Sequence, residues 1–243
     1  MMAGHSKWSN IQHRKKAQDA KRGKNFTKFI REIVVATREG GSDKTANPRL
    51  RLAIEKALQG NMTKDTINKA IQRGSGDNDL DNYQPITYEG YGPNGVAVLV
   101  KCLSDNRNRT VGEVRHAFNK HHGNLGTEGS VAFMFQEKGH IIIPGSNQFE
   151  ELFEKGLELG AEDISKENDF VIIETPTSKY EVIYLALKEA GFEMTEAGIK
   201  MIPDTFIECN ENDSESIIKL IDALEEIDDV QSVFSNVKFI DRQ

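Results

Sequence analysis

Between positions 7 and 28 the chain carries Lys7, Arg14, Lys15, Lys16, Lys21, Arg22, Lys24 and Lys28 against a single acid, Asp19. Cations spaced about one or two helical turns apart can neutralise several phosphates in a row. The counterions those phosphates release make such binding strong and salt-sensitive. Trp8, beside Lys7, adds a flat surface able to stack on an unpaired base or a sugar edge. Its other reading is an anchor that holds the segment on a neighbouring domain. Together with His13, these residues form the candidate nucleic-acid contacts of the N-terminal segment. The bland alternative for the whole run is a solvated, loosely held arm.

A second candidate lies in SDNRNRT, residues 104–110. Arg107 and Arg109 are presented where a helix begins, a place that favours anions. Asn106 and Asn108 can hold the turn through side-chain to backbone hydrogen bonds. Arginine forks suit phosphates and carboxylates alike. The competing expectation is therefore a loop whose arginines pair with the chain's own acidic surface.

Other chemistry is not signalled. There is no P-loop, HExxH, CxxC or GxSxG. GYGPNG has the spacing of a dinucleotide fingerprint at Gly90, Gly92 and Gly95, but a β-rich run follows it where a helix is required. A hairpin turn is expected instead, with the glycines and Asn94 supplying positive φ. His116 and His121 are five residues apart, which misses the i, i+4 spacing of a helical metal pair, and His122 adds no clean ligand set. No catalytic residue, cofactor or metal is assigned, and a non-enzymatic protein is expected.

Charge divides the chain. Residues 1–70 hold 16 Lys and Arg against 6 Asp and Glu, while residues 71–243 hold 15 against 32. Such asymmetry suggests that one end meets a polyanion while the rest keeps the molecule soluble. Hydrophobic content is 37%, and no apolar run approaches the roughly 18 residues of a membrane span. The basic N-terminus has no apolar stretch behind it to make a signal peptide. Cys102 and Cys209 stand far apart, without a disulfide framework. A cytoplasmic protein with no membrane partner is expected.

The elements that must carry these residues can be read from period and caps. Phe26, Phe29, Ile30, Ile33, Val34 and Thr37 share one helical face, stopped at Gly40 and Gly41. Asn47 and Pro48 open a second helix, with Leu50, Ala53, Ile54, Ala57 and Leu58 inward and Gly60 at its end. Thr63 caps a third, ended by Gly74. From Ile86 the period changes to two strands around the GYGPNG turn, the second over 96–103. Thr110 and Glu113 form a capping box for the next helix. A strand over 130–135 follows, then EKG turns into another over 140–144. A helix, strands near 161–165 and 170–174, a further helix and a strand over 199–202 complete a β-α-β-β-α-β unit. The remaining strand, helix and strand (205–209, 217–224, 230–237) would leave a sheet face bare, unless they join 96–135 in a second unit of the same kind. The expected fold is α+β in three domains. Residues 1–80 form the basic arm and helical domain, and residues 81–137 plus 204–243 form one ferredoxin-like α+β domain. Residues 138–203 form a second such domain, inserted in the first.

AGHSKWSNIQHRKKAQDAKRGKNFTK, YEGYGPNGVAV, SDNRNRT and GNLGTEGSVAFMF resemble the YebC/PmpR family in order and spacing, closely from Ala3 to about Gln136 and collinearly to the end. Asn94 stands where relatives often have Gly, and His121 and His122 replace smaller residues. The resemblance implies a helical domain and two α+β domains, one inserted in the other, enclosing a cavity with an acidic surface. Proteins of this kind are commonly described as DNA-binding transcriptional regulators. Others act on the ribosome and help translation through proline-rich stretches, and mitochondrial members are translational activators of cytochrome oxidase. The resemblance thus implies a DNA-binding regulator of gene expression. The competing class is a ribosome-associated translation factor whose cations meet ribosomal RNA, and a weaker third is an enzyme using the acidic cavity. Oligomeric state is not read from the sequence.

Overall fold

The computed structural model describes residues 25–76, 82–209 and 211–239. Three helices come first: α1 (Asn25–Gly40), α2 (Pro48–Gln59) and α3 (Lys64–Ser75). Their inward stripes, with Met62 from the loop between α2 and α3, form one core that includes Ile33, Val34, Leu50, Ala57, Ile67 and Ala70. Asn47 caps α2 by accepting from the Leu50 amide at 3.0 Å. Its Nδ2 donates to the carbonyls of Ala36 at 2.7 Å and Gly41 at 2.8 Å, so one side chain closes the end of α1 and the start of α2. Gly74, expected to stop α3, lies inside it. A Cβ there would meet the Val34 carbonyl oxygen at 2.6 Å and Thr37 Cβ at 2.7 Å. The glycine permits helix contact and does not end the helix.

Strands β1 (Gln84–Tyr91) and β2 (Ala97–Ser104) pair as an antiparallel hairpin. Its turn has Asn94 at φ 58° and Gly95 at φ 75°, as the turn reading requires. Then come α4 (Arg107–Lys120) and the short β3 (Asn124–Leu125); α7 (Glu211–Glu225) and β9 (Val230–Ser235) return later in the chain. The sheet order is β3-β1-β2-β9, antiparallel throughout. The expected capping box is displaced: α4 starts four residues early, and Asn106 is the cap, accepting from the Arg109 amide at 3.0 Å. Thr110 lies buried within the helix.

The second compact unit is the β-α-β-β-α-β run: β4 (Phe135–Pro144), α5 (Phe149–Leu159), β5 (Asp163–Glu167), β6 (Phe170–Pro176), α6 (Thr177–Glu189) and β7 (Glu196–Pro203). Its sheet order, β5-β6-β4-β7, is antiparallel and ferredoxin-like. Where a turn was expected at EKG, β4 runs straight through. A Cβ on Gly139 would strike Thr175 Oγ1 at 2.3 Å and the Tyr180 side chain at 2.7 Å, so this glycine admits Tyr180 against the strand. The strand expected over 205–209 does not join the sheet built on 96–103: in the same unit β8 (Ile207–Cys209) pairs in parallel with β10 (Val237–Phe239), and the strand expected over 230–237 breaks after Ser235, leaving only β9 in the first sheet. The molecule is thus α+β, a helical region followed by sheet-containing parts. Among the described residues no helix is long and apolar enough to cross a membrane.

Candidate nucleic-acid interface

Arg31, on α1 one turn beyond Lys28, is buried. One side-chain nitrogen, Nη1, donates to Asp229 Oδ1, to the Asp228 carbonyl at 2.8 Å and to the Leu103 carbonyl at 3.3 Å, and the Tyr83 ring lies 5.1 Å from its guanidinium carbon. Asp229, 1% exposed, also accepts from Arg109 Nη2 at 2.8 and 3.0 Å, from Ser104 Oγ at 3.0 Å and from Thr110 Oγ1. Burial alone would raise the Asp229 pKa; hydrogen bonds from Thr110 and Arg109 and the Arg31 charge outweigh it and hold the carboxyl below its ordinary value. One carboxylate from the turn before β9 thereby ties α1 to the start of α4. Lys28, one turn earlier on α1, donates from Nζ to the Glu225 carbonyl at 2.7 Å, at the C-terminus of α7, where a cation is favoured.

The two arginines of SDNRNRT have different fates. Arg109 joins Asp229 and, at 2.8 Å, Asp105, and these hydrogen bonds raise its pKa. That is the intramolecular pairing named as the competing expectation. Arg107 is exposed, and its side chain has no ion pair or hydrogen bond with any described residue. Lys7, Trp8, His13, Arg14, Lys15, Lys16, Lys21, Arg22 and Lys24 lie outside the described residues. Of the cations on the helical region, Arg49 pairs with Glu32 and Glu39, and Lys69 with Asp65, while Arg38, Lys56, Lys64 and Arg73 are exposed.

A cleft of about 920 Å³ opens beside Asp229. His116 and Lys120 of α4 line one side, and Glu226 and Asp228 belong to the other. His121 is on its rim; burial, then the positive neighbours Lys120, His122, Lys219 and His116, hold its imidazole below the ordinary value. Among the described residues no group of three or more His, Cys, Asp and Glu is placed to hold a metal ion.

Glu89 was missed. Its carboxylate, 4% exposed in β1, accepts from the amides of Gly129, Val131 and Ala132, each at 2.7 Å. Burial would raise its pKa, but these three donors overcome that and lower it. The expected strand over 130–135 fails for this reason: the carboxylate takes amides that a ladder would need, and Ala132–Met134 forms a 3-10 turn before β4. An acid between buried strand residues, followed downstream by the glycine-rich GTEGS, was the available signal.

Two family descriptions match this chain: the TACO1/YebC protein N-terminal domain over residues 6–77 and the TACO1/YebC second and third domain over residues 83–237. A probable transcriptional regulatory protein of Idiomarina loihiensis is 53% identical over 241 residues, covering 99% of this chain and 97% of its own. One of the same description from Legionella pneumophila is 51% identical, covering 99% and 98%. The crystal structure of a conserved hypothetical protein from Aquifex aeolicus superposes with a TM-score of 0.82 at 44% identity, covering 92% of this chain and 93% of that one. With both domain descriptions matched in order and relatives similar along nearly the whole length, the chain belongs to the TACO1/YebC family.

Proposed function

We propose that this protein is a DNA-binding regulator of gene expression that grips phosphates with its basic N-terminal segment, its acidic α+β parts standing away from the nucleic acid or recruiting partners. The observation that carries the reading is the charge division, 16 basic against 6 acidic residues over 1–70 and the reverse imbalance beyond. The names of its relatives, probable transcriptional regulatory proteins, support a regulatory role. The contacts assigned are Lys7, Trp8, His13, Arg14, Lys15, Lys16, Lys21, Arg22 and Lys24, with Arg107 as the accessible arginine of the second motif. Phosphate contacts position a protein without reading sequence, so the same cations would also suit ribosomal RNA. Specificity separates the two. A transcription regulator must prefer its site over random duplex by roughly a thousandfold or more, whereas RNA is recognised by shape and 2′-hydroxyls. The test is competition at physiological salt between a candidate promoter, its scrambled version and purified ribosomes. Promoter preference that survives the ribosomes is the expected result. Sequence-blind DNA binding that ribosomes abolish would overturn it in favour of a translation factor.

A further inference from the structure

The cleft beside Asp229 is formed by α4, the end of α7 and the turn before β9, and its charges are only partly matched. Asp229 is met by Arg31 and Arg109, and Asp105 by Arg109. Glu113 and Asp228 also line the cleft, yet their carboxylates make no ion pair or hydrogen bond with any described residue. Glu226 adds a further acid and Lys120 a cation. The charge left for a ligand to meet is therefore mainly negative.

Acids alone would ask only for a cation, but Arg31 asks for an acceptor as well. It is 9% exposed and lines the cleft. Its Nη1 takes the Asp229 carboxylate and two carbonyls. Nε is buried with no hydrogen-bond partner, and Nη2 has none among the described residues. Nε and Nη2 share one edge of the planar guanidinium, the fork that suits carboxylate and carbonyl oxygens. Leaving such donors unmet inside a protein is costly.

Gly112 is a separate sign. Glycine is unfavourable in a helix interior. At Gly74 and Gly139 a Cβ would strike a neighbour at 2.6 and 2.3 Å, whereas on Gly112, which lines the cleft, it would meet nothing within 4 Å. The missing side chain enlarges the cleft and relieves no internal contact. At about 920 Å³ the cleft has the size of a small-ligand site and holds more than one amino acid. A polyamine would meet the acids but offer Arg31 nothing, and an inorganic anion would do the reverse.

We propose that this cleft binds a short basic peptide. A Lys or Arg side chain lies between Glu113 and Asp228, a backbone carbonyl accepts from the unspent edge of Arg31, and the peptide backbone passes over Gly112. The site is separate from the proposed nucleic-acid contacts and does not depend on them, so its failure would leave that reading standing.

The test is calorimetric titration of the full chain with acetyl-Gly-Arg-Gly amide, its Gln counterpart and spermidine. The Arg peptide is expected to bind at least about tenfold tighter than either of the others, and Glu113→Gln and Asp228→Asn should each weaken it about tenfold, the loss of one hydrogen bond to a charged group. Gly112→Leu puts a good helix former into open space. It should keep or raise the unfolding midpoint and abolish binding. Glu113 and Asp228 are exposed, so their variants decide the matter even if Gly112→Leu fails to fold. Binding unchanged in all three variants puts the peptide elsewhere and overturns the site. Equal affinity for the Gln peptide, tighter binding of spermidine, or no heat at millimolar Arg peptide overturns the ligand class.

Discussion

Arg107 and Arg109 stand two residues apart on the first turn of one helix, and they differ in almost everything that matters. Arg109 turns toward Asp229, where it joins Arg31, Ser104 and Thr110 on a buried carboxylate. The Arg107 side chain is exposed and makes no ion pair or hydrogen bond with any described residue. Two cations of the same type and local environment in sequence are thus divided between holding the molecule together and remaining available to a polyanion. A buried charge must be matched by charge and hydrogen bonds, so the interior claims its cations first.

The largest break in this comparison should come at the hub. Asp229→Ala strips the carboxylate from a buried Arg31 and is expected to cost about 3–5 kcal/mol, read as the urea unfolding free energy. The carbonyls of Leu103 and Asp228 would still accept from Arg31 but cannot balance its charge. A loss no larger than that of an exposed-site control would mean that the buried pair is not what joins α1 to α4.

Next comes Glu89→Gln, which weakens acceptance from three backbone amides; about 1.5–3 kcal/mol is expected, the range for hydrogen bonds to a charged group. Exchange of the Gly129, Val131 and Ala132 amides should accelerate. The effect is pH-dependent. Burial opposes ionisation of Glu89, yet its three amide donors hold the folded pKa below the ordinary 4.5. The carboxylate therefore stabilises the fold fully above about pH 4.5, and this share is lost as pH falls through the lower folded value. The gap between wild type and Glu89→Gln should narrow over that acidic window. A gap constant with pH would remove the charged contact from the account.

The smallest and sharpest comparison is between the two arginines. Arg109→Gln should lower stability by about 1 kcal/mol or less, since its side chain is 41% exposed and water screens the pair. Arg107→Gln should leave the unfolding midpoint unchanged. Equal losses from both would show that Arg107 has an internal role that the structure does not display.

Local physics made much of the fold legible. The stripes of α1 to α3, the Asn47 and Thr63 caps and the GYGPNG hairpin follow from 3.6- and 2-residue periods and from backbone geometry, which depend on near neighbours. The β-α-β-β-α-β order of the ferredoxin-like unit is likewise written in alternating element lengths. The misreadings share a cause. Gly74 and Gly139 looked like stops because glycine commonly breaks an element, but here each makes room for a side chain or backbone distant in sequence. The 130–135 segment has β-forming residues, and a carboxylate some forty positions earlier withdraws its amides from any ladder. Thr110 has the pattern of a cap, yet its hydroxyl serves Asp229.

By itself, then, the sequence determined the family, the α+β class, the positions of most elements and the concentration of positive charge at the front of the chain, because these rest on composition, period and adjacency. Only the tertiary structure decided which cations are committed inside the molecule: Arg31 and Arg109 to Asp229, Lys28 to the end of α7, with Arg107 left exposed. Such pairing depends on contacts across some 70 to 200 positions of chain. Charge acts through distance in space, and distance in space is what the fold creates.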